Sequence, residues 1–342
     1  MKKIIFYNLI IFSFIYLVLE ILSGALIFNK IDCHYLLCNK NYTFKNEFGF
    51  YENGINEYKR DEFGFRGKRK QLSDIDILTI GGSTTDERYL NLEDTWSEKI
   101  EQLFLNNNID IDVVNAGIDG QSTIGHIWNF KEWFPKLKDF RPKYIIFYIG
   151  LNERLFGNES SKYDNNLDSN KVNLIERIIL LVKKNNGITY QFYNLIFKNF
   201  FYNETIDAGH KKRVSNYIIP KNRILLEEDQ KNLLYKNLEI IRNQAKKLNS
   251  IPIFVSQKTL RGISIDKTNY SQNEFDILFY EKQIAEIIKE FANNNNVLFI
   301  DLFEKLEFEN KDLYDLIHTT PTGADKISKF IFDELFGKIN FK

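Results

Sequence analysis

Five residues of this 342-residue chain, Ser83, Gly120, Asn152, Asp315 and His318, have the types and settings that attack on a carbonyl requires. Ser83 closes the stretch Ile80-Gly81-Gly82-Ser83, which follows an apolar run from Ile75. A serine hydroxyl is a weak nucleophile unless a base takes its proton as it attacks. His318 is such a base, and Asp315, three residues earlier in Asp315-Leu316-Ile317-His318, can hold its other ring nitrogen. The oxyanion that forms needs hydrogen-bond donors. The backbone N–H groups of Ser83 and Gly120 and the side-chain amide of Asn152 can supply them. Gly117 lies in the same turn as Gly120 and is the alternative backbone donor.

These residues are far apart in sequence, so a scaffold must gather them. Five short apolar runs read as strands: 75–80, 111–114, 144–149, 251–255 and 297–300. Helical patterns alternate with them, over about 94–104, 122–137, 225–248, 274–292 and 322–336. Strands alternating with helices give a parallel sheet covered on both faces. The serine, the Asn115-to-Gln121 turn, the Gly150-Leu151-Asn152-Glu153 turn and the Asp-x-x-His segment follow strands one, two, three and five. All four therefore lie at the carboxyl edge of the sheet, where open α/β sheets bind ligands.

In these four blocks and their order the chain resembles the SGNH (GDSL-like) hydrolases, over roughly residues 74–336. The resemblance implies a flavodoxin-like three-layer α/β/α sandwich with a five-stranded parallel sheet. It implies Ser83 as nucleophile, Gly120 and Asn152 in the oxyanion hole, Asp315 as orienter and His318 as base. The chain departs from the family's Gly-Asp-Ser at Gly82, and from its Gly-x-Asn-Asp at Glu153. Neither replaced residue performs the chemistry, so both changes bear on packing or substrate. An ester hydrolase working through an acyl-enzyme, with no cofactor or metal, is the implied activity. The alternatives are an acyltransferase using the same site and a non-catalytic glycan-binding protein on the same fold.

Charge excludes another class. Lys+Arg and Asp+Glu both total 46, without the basic bias of a nucleic-acid-binding surface. The N-terminus points to a membrane instead. Lys2 and Lys3 precede an apolar run from Ile4 to Phe28, and some 20 apolar residues roughly suffice to span a bilayer. The lysines favour a cytoplasmic N-terminus with the remainder exported, periplasmic or at the cell surface. Ser23-Gly24-Ala25 leaves a cleaved signal peptide open, but the run is long for one. Glu20 is costly within the span unless it is paired or near the interface. The two cysteines, Cys33 and Cys38, either pair or remain free thiols.

The expected organisation is an anchor helix over 1–29, a small membrane-proximal β or linker segment over 30–72, and a hydrolase domain over 73–342. Asn53-Gly54 is a hairpin signal within the second part. Residues 154–223 interrupt the α/β pattern, and insertions of that length often form lids or binding loops. His126 packs or lines the pocket, Arg154 contacts an anionic or sugar substrate or is a surface charge, and His34 and His210 read as surface or packing residues. The expected partners are an acyl ester of a glycan or lipid, and the membrane.

Overall fold

The computed structural model describes residues 2–24, 31, 33, 35–45, 48–52, 54–69, 71–155, 178–179, 182, 185, 187–192, 205–207, 226–259, 272–315 and 317–341. Helix α1 (Lys2–Ser23) is followed by a small sheet. Its strands β1 (Lys40–Lys45) and β2 (Ile55–Arg60) are antiparallel, with Lys45 opposite Ile55. A loop over 46–54 joins them, longer than a two-residue Asn-Gly turn, and Asn53 itself is outside the described residues. The short strand β6 (Thr205–Asp207) adds in parallel to the free edge of β1.

The main sheet holds β3 (Ile77–Gly81), β4 (Val113–Asn115), β5 (Tyr144–Ile149), β7 (Ile251–Ser256) and β8 (Leu298–Ile300). They run parallel in the order β4-β3-β5-β7-β8, the flavodoxin-like order. Side chains alternate across the pleat. Leu78, Ile80, Ile145, Phe147 and Phe254 face one core, and Ile77, Ile146, Tyr148, Ile253 and Val255 face the other. Every residue of β3, β4 and β5 is buried, which is why these strands read as unbroken apolar runs.

Helices cover both faces. The first core receives Leu234, Leu238 and Ile241 of Glu228–Lys247 and Ile284, Ile288 and Phe291 of Gln272–Asn294. The second receives Trp96, Ile100 and Phe104 of Trp96–Asn106 and Ile327, Ile331 and Leu335 of Pro321–Leu335. Each such side chain, fully buried, contributes about 1.5–3 kcal/mol.

Two helices differ from the sequence pattern. The helix expected at Asp94 begins one residue later, with Thr95 as N-cap accepting from the Glu98 N–H. Asp94 instead closes a 3₁₀ turn and accepts the Tyr51 hydroxyl at 2.6 Å. The helix expected over 122–137 stops at Trp128 and passes into a π turn over Asn129–Trp133. That wider turn places buried Asn129 for a bond described below.

The segment before the main sheet is packed into it. Leu36, Cys38 and Phe65 belong to the first core, and Phe65 stacks on Trp133 with ring centroids 4.7 Å apart. Arg66 and Asn115 exchange two backbone hydrogen bonds of 2.9 Å, extending the sheet beyond β4. Cys33 and Cys38 form a disulfide.

Helix α1 holds a 21-residue stretch, Lys3–Ser23, with an 18-residue window of mean hydropathy 2.3 and none of that window buried, long and apolar enough to cross a membrane.

Candidate active site

Gly81 and Gly82 turn the chain out of β3 into a single helical turn, Ser83–Asp86. The glycines are required by crowding. A Cβ on Gly81 would lie 2.1 Å from Thr85 Oγ1, and one on Gly82 would lie 2.3 Å from Asn152 Nδ2. The second contact accounts for the missing aspartate: with this backbone, the Asn152 amide takes the space that a side chain at 82 would need. Ser83 is the first residue of the helical turn, so its N–H has no intrahelical partner.

Ser83 Oγ lies 2.8 Å from His318 Nε2, and His318 Nδ1 lies 2.7 Å from Asp315 Oδ2. With the proton on Nδ1 donated to Asp315, Nε2 is free to accept the serine hydrogen. The three-residue spacing works because Asp315 folds its own turn. Its Oδ1 accepts the backbone N–H groups of His318 at 2.8 Å and Ile317 at 3.1 Å. Burial alone would raise the Asp315 pKa, but the bonds and charge of His318 and the two N–H donors outweigh it and hold the carboxyl below its ordinary value. Tyr314 stacks on the His318 ring at 5.6 Å and on Phe48 at 4.1 Å, which limits rotation of the imidazole. Ser83, Asp315 and His318 are all half-buried, so a substrate can reach them.

The residues expected to receive an oxyanion sit on the two neighbouring turns. Gly120 has φ +79°, in a tight turn closed by the Gln121 N–H to the Ile118 carbonyl at 3.1 Å. Glycine is the residue that such a turn favours. Asn152 Nδ2 donates to the Gln121 carbonyl at 2.8 Å, leaving its second N–H for a ligand. Gly117 is placed differently: its N–H is taken by Asn115 Oδ1 at 2.8 Å and its carbonyl by Arg60. The structure thus brings Ser83, His318 and Asp315 into one hydrogen-bonded chain, with Asn152 beside Gly82 and the 120–121 turn.

The sequence match agrees with this arrangement. Residues 79–326 match the model of the GDSL-like Lipase/Acylhydrolase family, most of the chain. The chain belongs to that family. It is therefore a hydrolase acting on ester bonds. No curated protein matches it in sequence. Among solved structures it is similar to a member of the lipolytic G-D-S-L family from Veillonella parvula, at 14% identity and TM-score 0.45, covering 78% of this chain and 100% of that one. It is also similar to a variant acetyl xylan esterase from Geobacillus stearothermophilus, at 15% identity and TM-score 0.44, covering 81% and 99%.

Several residues of the hydrolase that support this arrangement lacked a motif. Glu87, at φ +44° just past the serine turn, is buried and bridges two elements. Its carboxylate accepts the Thr319 hydroxyl at 2.5 Å and the Trp96 N–H at 2.8 Å. Burial raises its pKa to about 8 against the opposing pull of those bonds. Gln257, after β7, donates to Thr84 Oγ1 at 3.1 Å and accepts the Leu151 N–H at 2.9 Å, tying the serine turn to the Asn152 turn. Gln121 and Asn129 exchange paired amide bonds of 3.0 and 3.1 Å that hold the Gly120 loop. Glu153 accepts the N–H and hydroxyl of Thr123, both at 2.8 Å, so it fixes the start of the helix Thr123–Trp128.

The segment before β3 contributes from beneath. Asp86 accepts Arg60 Nη2 at 2.7 Å and the Tyr58 hydroxyl at 2.8 Å, all three buried. Burial would raise the Asp86 pKa, but Arg60, Arg88 and Arg66 hold the carboxylate below its usual range. Buried Arg66 donates to the carbonyls of Asp86, Glu87 and Leu90. These bonds fix the floor under the Ser83 turn.

His126 is a packing residue. It is buried near Phe147, burial lowers its pKa to about 3, and neither ring nitrogen has a hydrogen-bond partner among the described residues. The side chain of Arg154, His34, His210 and most of 154–223 lie outside the described residues.

Proposed function

We propose that this chain is a membrane-anchored serine ester hydrolase that works through an acyl-enzyme on the outer side of the membrane. The observation that carries the reading is the continuous hydrogen-bonded chain Ser83–His318–Asp315 at the carboxyl edge of the sheet. His318 Nε2 takes the serine proton as Oγ attacks the ester carbonyl. Asp315 keeps the imidazole in the required tautomer and stabilises its charged form. The N–H groups of Ser83 and Gly120 and the free N–H of Asn152 receive the oxyanion. His318 then protonates the leaving alkoxide, an acyl-Ser83 ester remains, and water activated by the same nitrogen releases the acid. No cofactor enters this sequence of steps.

The anchor is the 21-residue apolar helix, and the Cys33–Cys38 disulfide suits an oxidising compartment outside the cytoplasm. An enzyme held there meets envelope polymers and lipids, so the proposed substrate is an acyl ester on one of them, such as an O-acetyl group on a glycan. The test compares p-nitrophenyl acetate hydrolysis by the wild-type protein and Ser83→Ala, with intact-mass measurement after rapid acid quench. The wild type gains one acetyl group and turns over, and the variant does neither. Equal rates for the two proteins would overturn the assignment.

A further inference from the structure

Glu20 is the acid within the apolar span, 17 residues after Lys3, or about 26 Å along a helix rising 1.5 Å per residue. That distance puts it toward the far boundary of a hydrocarbon layer about 30 Å thick. A carboxylate at that depth needs partners. It has them, from more than 160 residues further along the chain. Thr189 donates both its N–H and its hydroxyl to Glu20 Oε2 at 2.8 Å. Asn185 Nδ2 donates to Glu20 Oε1 and to the Glu20 carbonyl, both at 3.1 Å. The Ile188 N–H donates to Ser23 Oγ at 3.1 Å, and Tyr16 and Thr189 share a hydroxyl contact. The approach is close: a Cβ on Gly187 would come within 2.4 Å of Glu20 Oε1.

Asn185 and Thr189 turn to α1, while Ile188 and Phe192, one helical turn apart, are 38% and 61% exposed. The Ile188 N–H bond to Ser23 sets them beside the end of a helix whose own apolar side chains are equally bare. Two bulky apolar groups beside a membrane span, with neighbouring polar groups satisfied inward, match the pattern of an interfacial element.

We propose that Ile188 and Phe192 form a second membrane contact, seated in the interfacial layer of the leaflet from which α1 emerges. Glu20 is the positioning residue that fastens them there. The inference rests on the reading of α1 as an uncleaved anchor. The occupant of the patch is the bilayer, because the patch is continuous with the span. The insertion thereby gives the enzyme two points of attachment, and these set its height and orientation over a membrane-borne ester.

The experiment places single nitroxide labels on the full chain in phosphatidylcholine/phosphatidylglycerol vesicles. Cys33 and Cys38 are disulfide-bonded, so an introduced thiol takes the label. Ile188→Cys and Phe192→Cys report on the patch, Leu19→Cys on the anchor, and Leu105→Cys on the water-facing surface of the sandwich. Labels at 188 and 192 are expected to relax faster with dissolved oxygen than with a water-soluble nickel chelate, as at 19 and opposite to 105. In Glu20→Ala the label at 192 should move to nickel accessibility while that at 19 does not. If 188 and 192 behave as 105 while 19 remains in lipid, the second contact is overturned and the anchor stands. If 19 is also in water, the anchor reading fails and this proposal fails with it. A label at 192 indifferent to Glu20→Ala overturns the fastening role.

Discussion

Glu87 accepts the hydroxyl hydrogen of Thr319 at 2.5 Å, and so ties the residue after His318 to the turn that carries Ser83. Ser83 and His318 are 235 residues apart in sequence, and their 2.8 Å contact depends on how two separate loops are held. The Thr319 bond fastens one loop to the other. The bond from the Trp96 N–H fastens both to the helix that starts at Trp96.

Glu87 should therefore shape stability against pH. Its folded pKa, about 8, lies above the ordinary value of 4.5. A raised pKa gives a contribution fully present below about 4.5 and lost as pH rises through about 8. The wild type should lose thermal stability across that window. Glu87→Gln keeps an acceptor for Trp96 and a polar partner for Thr319, so its Tm should fall less over the same range. Thermal melts of both proteins from pH 4 to 9 check this, and parallel curves would contradict it.

Asp315 has the opposite sign. Its folded pKa is lowered, so its contribution is present above the unfolded value of about 3.9 and lost as pH falls through the folded one. Asp315→Asn should flatten the acid limb of the stability curve. It should also lower kcat by on the order of 10⁴-fold near neutral pH, because an amide favours the wrong imidazole tautomer. Steady-state kinetics with a p-nitrophenyl ester and acid-range melts measure the two effects separately.

The contact between Gly82 and Asn152 gives a variant pair. Asn152→Ala removes the proposed oxyanion donor and should cost about 10²–10³ in kcat. Gly82→Ala pushes a methyl group to within 2.3 Å of the same amide and should cost a comparable factor in kcat with a smaller change in KM. The double variant should be little worse than Asn152→Ala alone, since both act on one donor. Additive losses would mean that Gly82 acts elsewhere.

The buried pair Arg60–Asp86 makes the segment before β3 part of the folding unit. Arg60→Met leaves Asp86 buried without its main counter-charge and should destabilise the protein by about 3–5 kcal/mol in urea unfolding. A change under 1 kcal/mol would show that residues 30–72 are a dispensable connection.

The sheet and the residues that meet at the candidate site were legible because each leaves a local mark. Strands covered on both faces read as apolar runs, and Ser83, Asn152 and the Asp315–His318 pair each follow a strand with their turn residues beside them. The support was not legible, because it is made of long-range single contacts. Arg60, Arg66 and Tyr58 sit in a charged, glycine-rich stretch that reads as a small β or linker segment, and only the fold shows that they are buried under Asp86. Gln257 and Asn129 are lone amides with no motif. Glu20 read as a costly charge within a span, and its partners lie in the least patterned part of the chain.

The proposed chemistry depends on Ser83 as the nucleophile and His318 as its base. The most direct measurement is labelling of the folded full-length protein with a fluorophosphonate, followed by peptide mapping. One phosphonyl adduct is expected, on Ser83, lost in Ser83→Ala and greatly slowed in His318→Ala. An adduct on another residue, or unchanged labelling of Ser83→Ala, would contradict it.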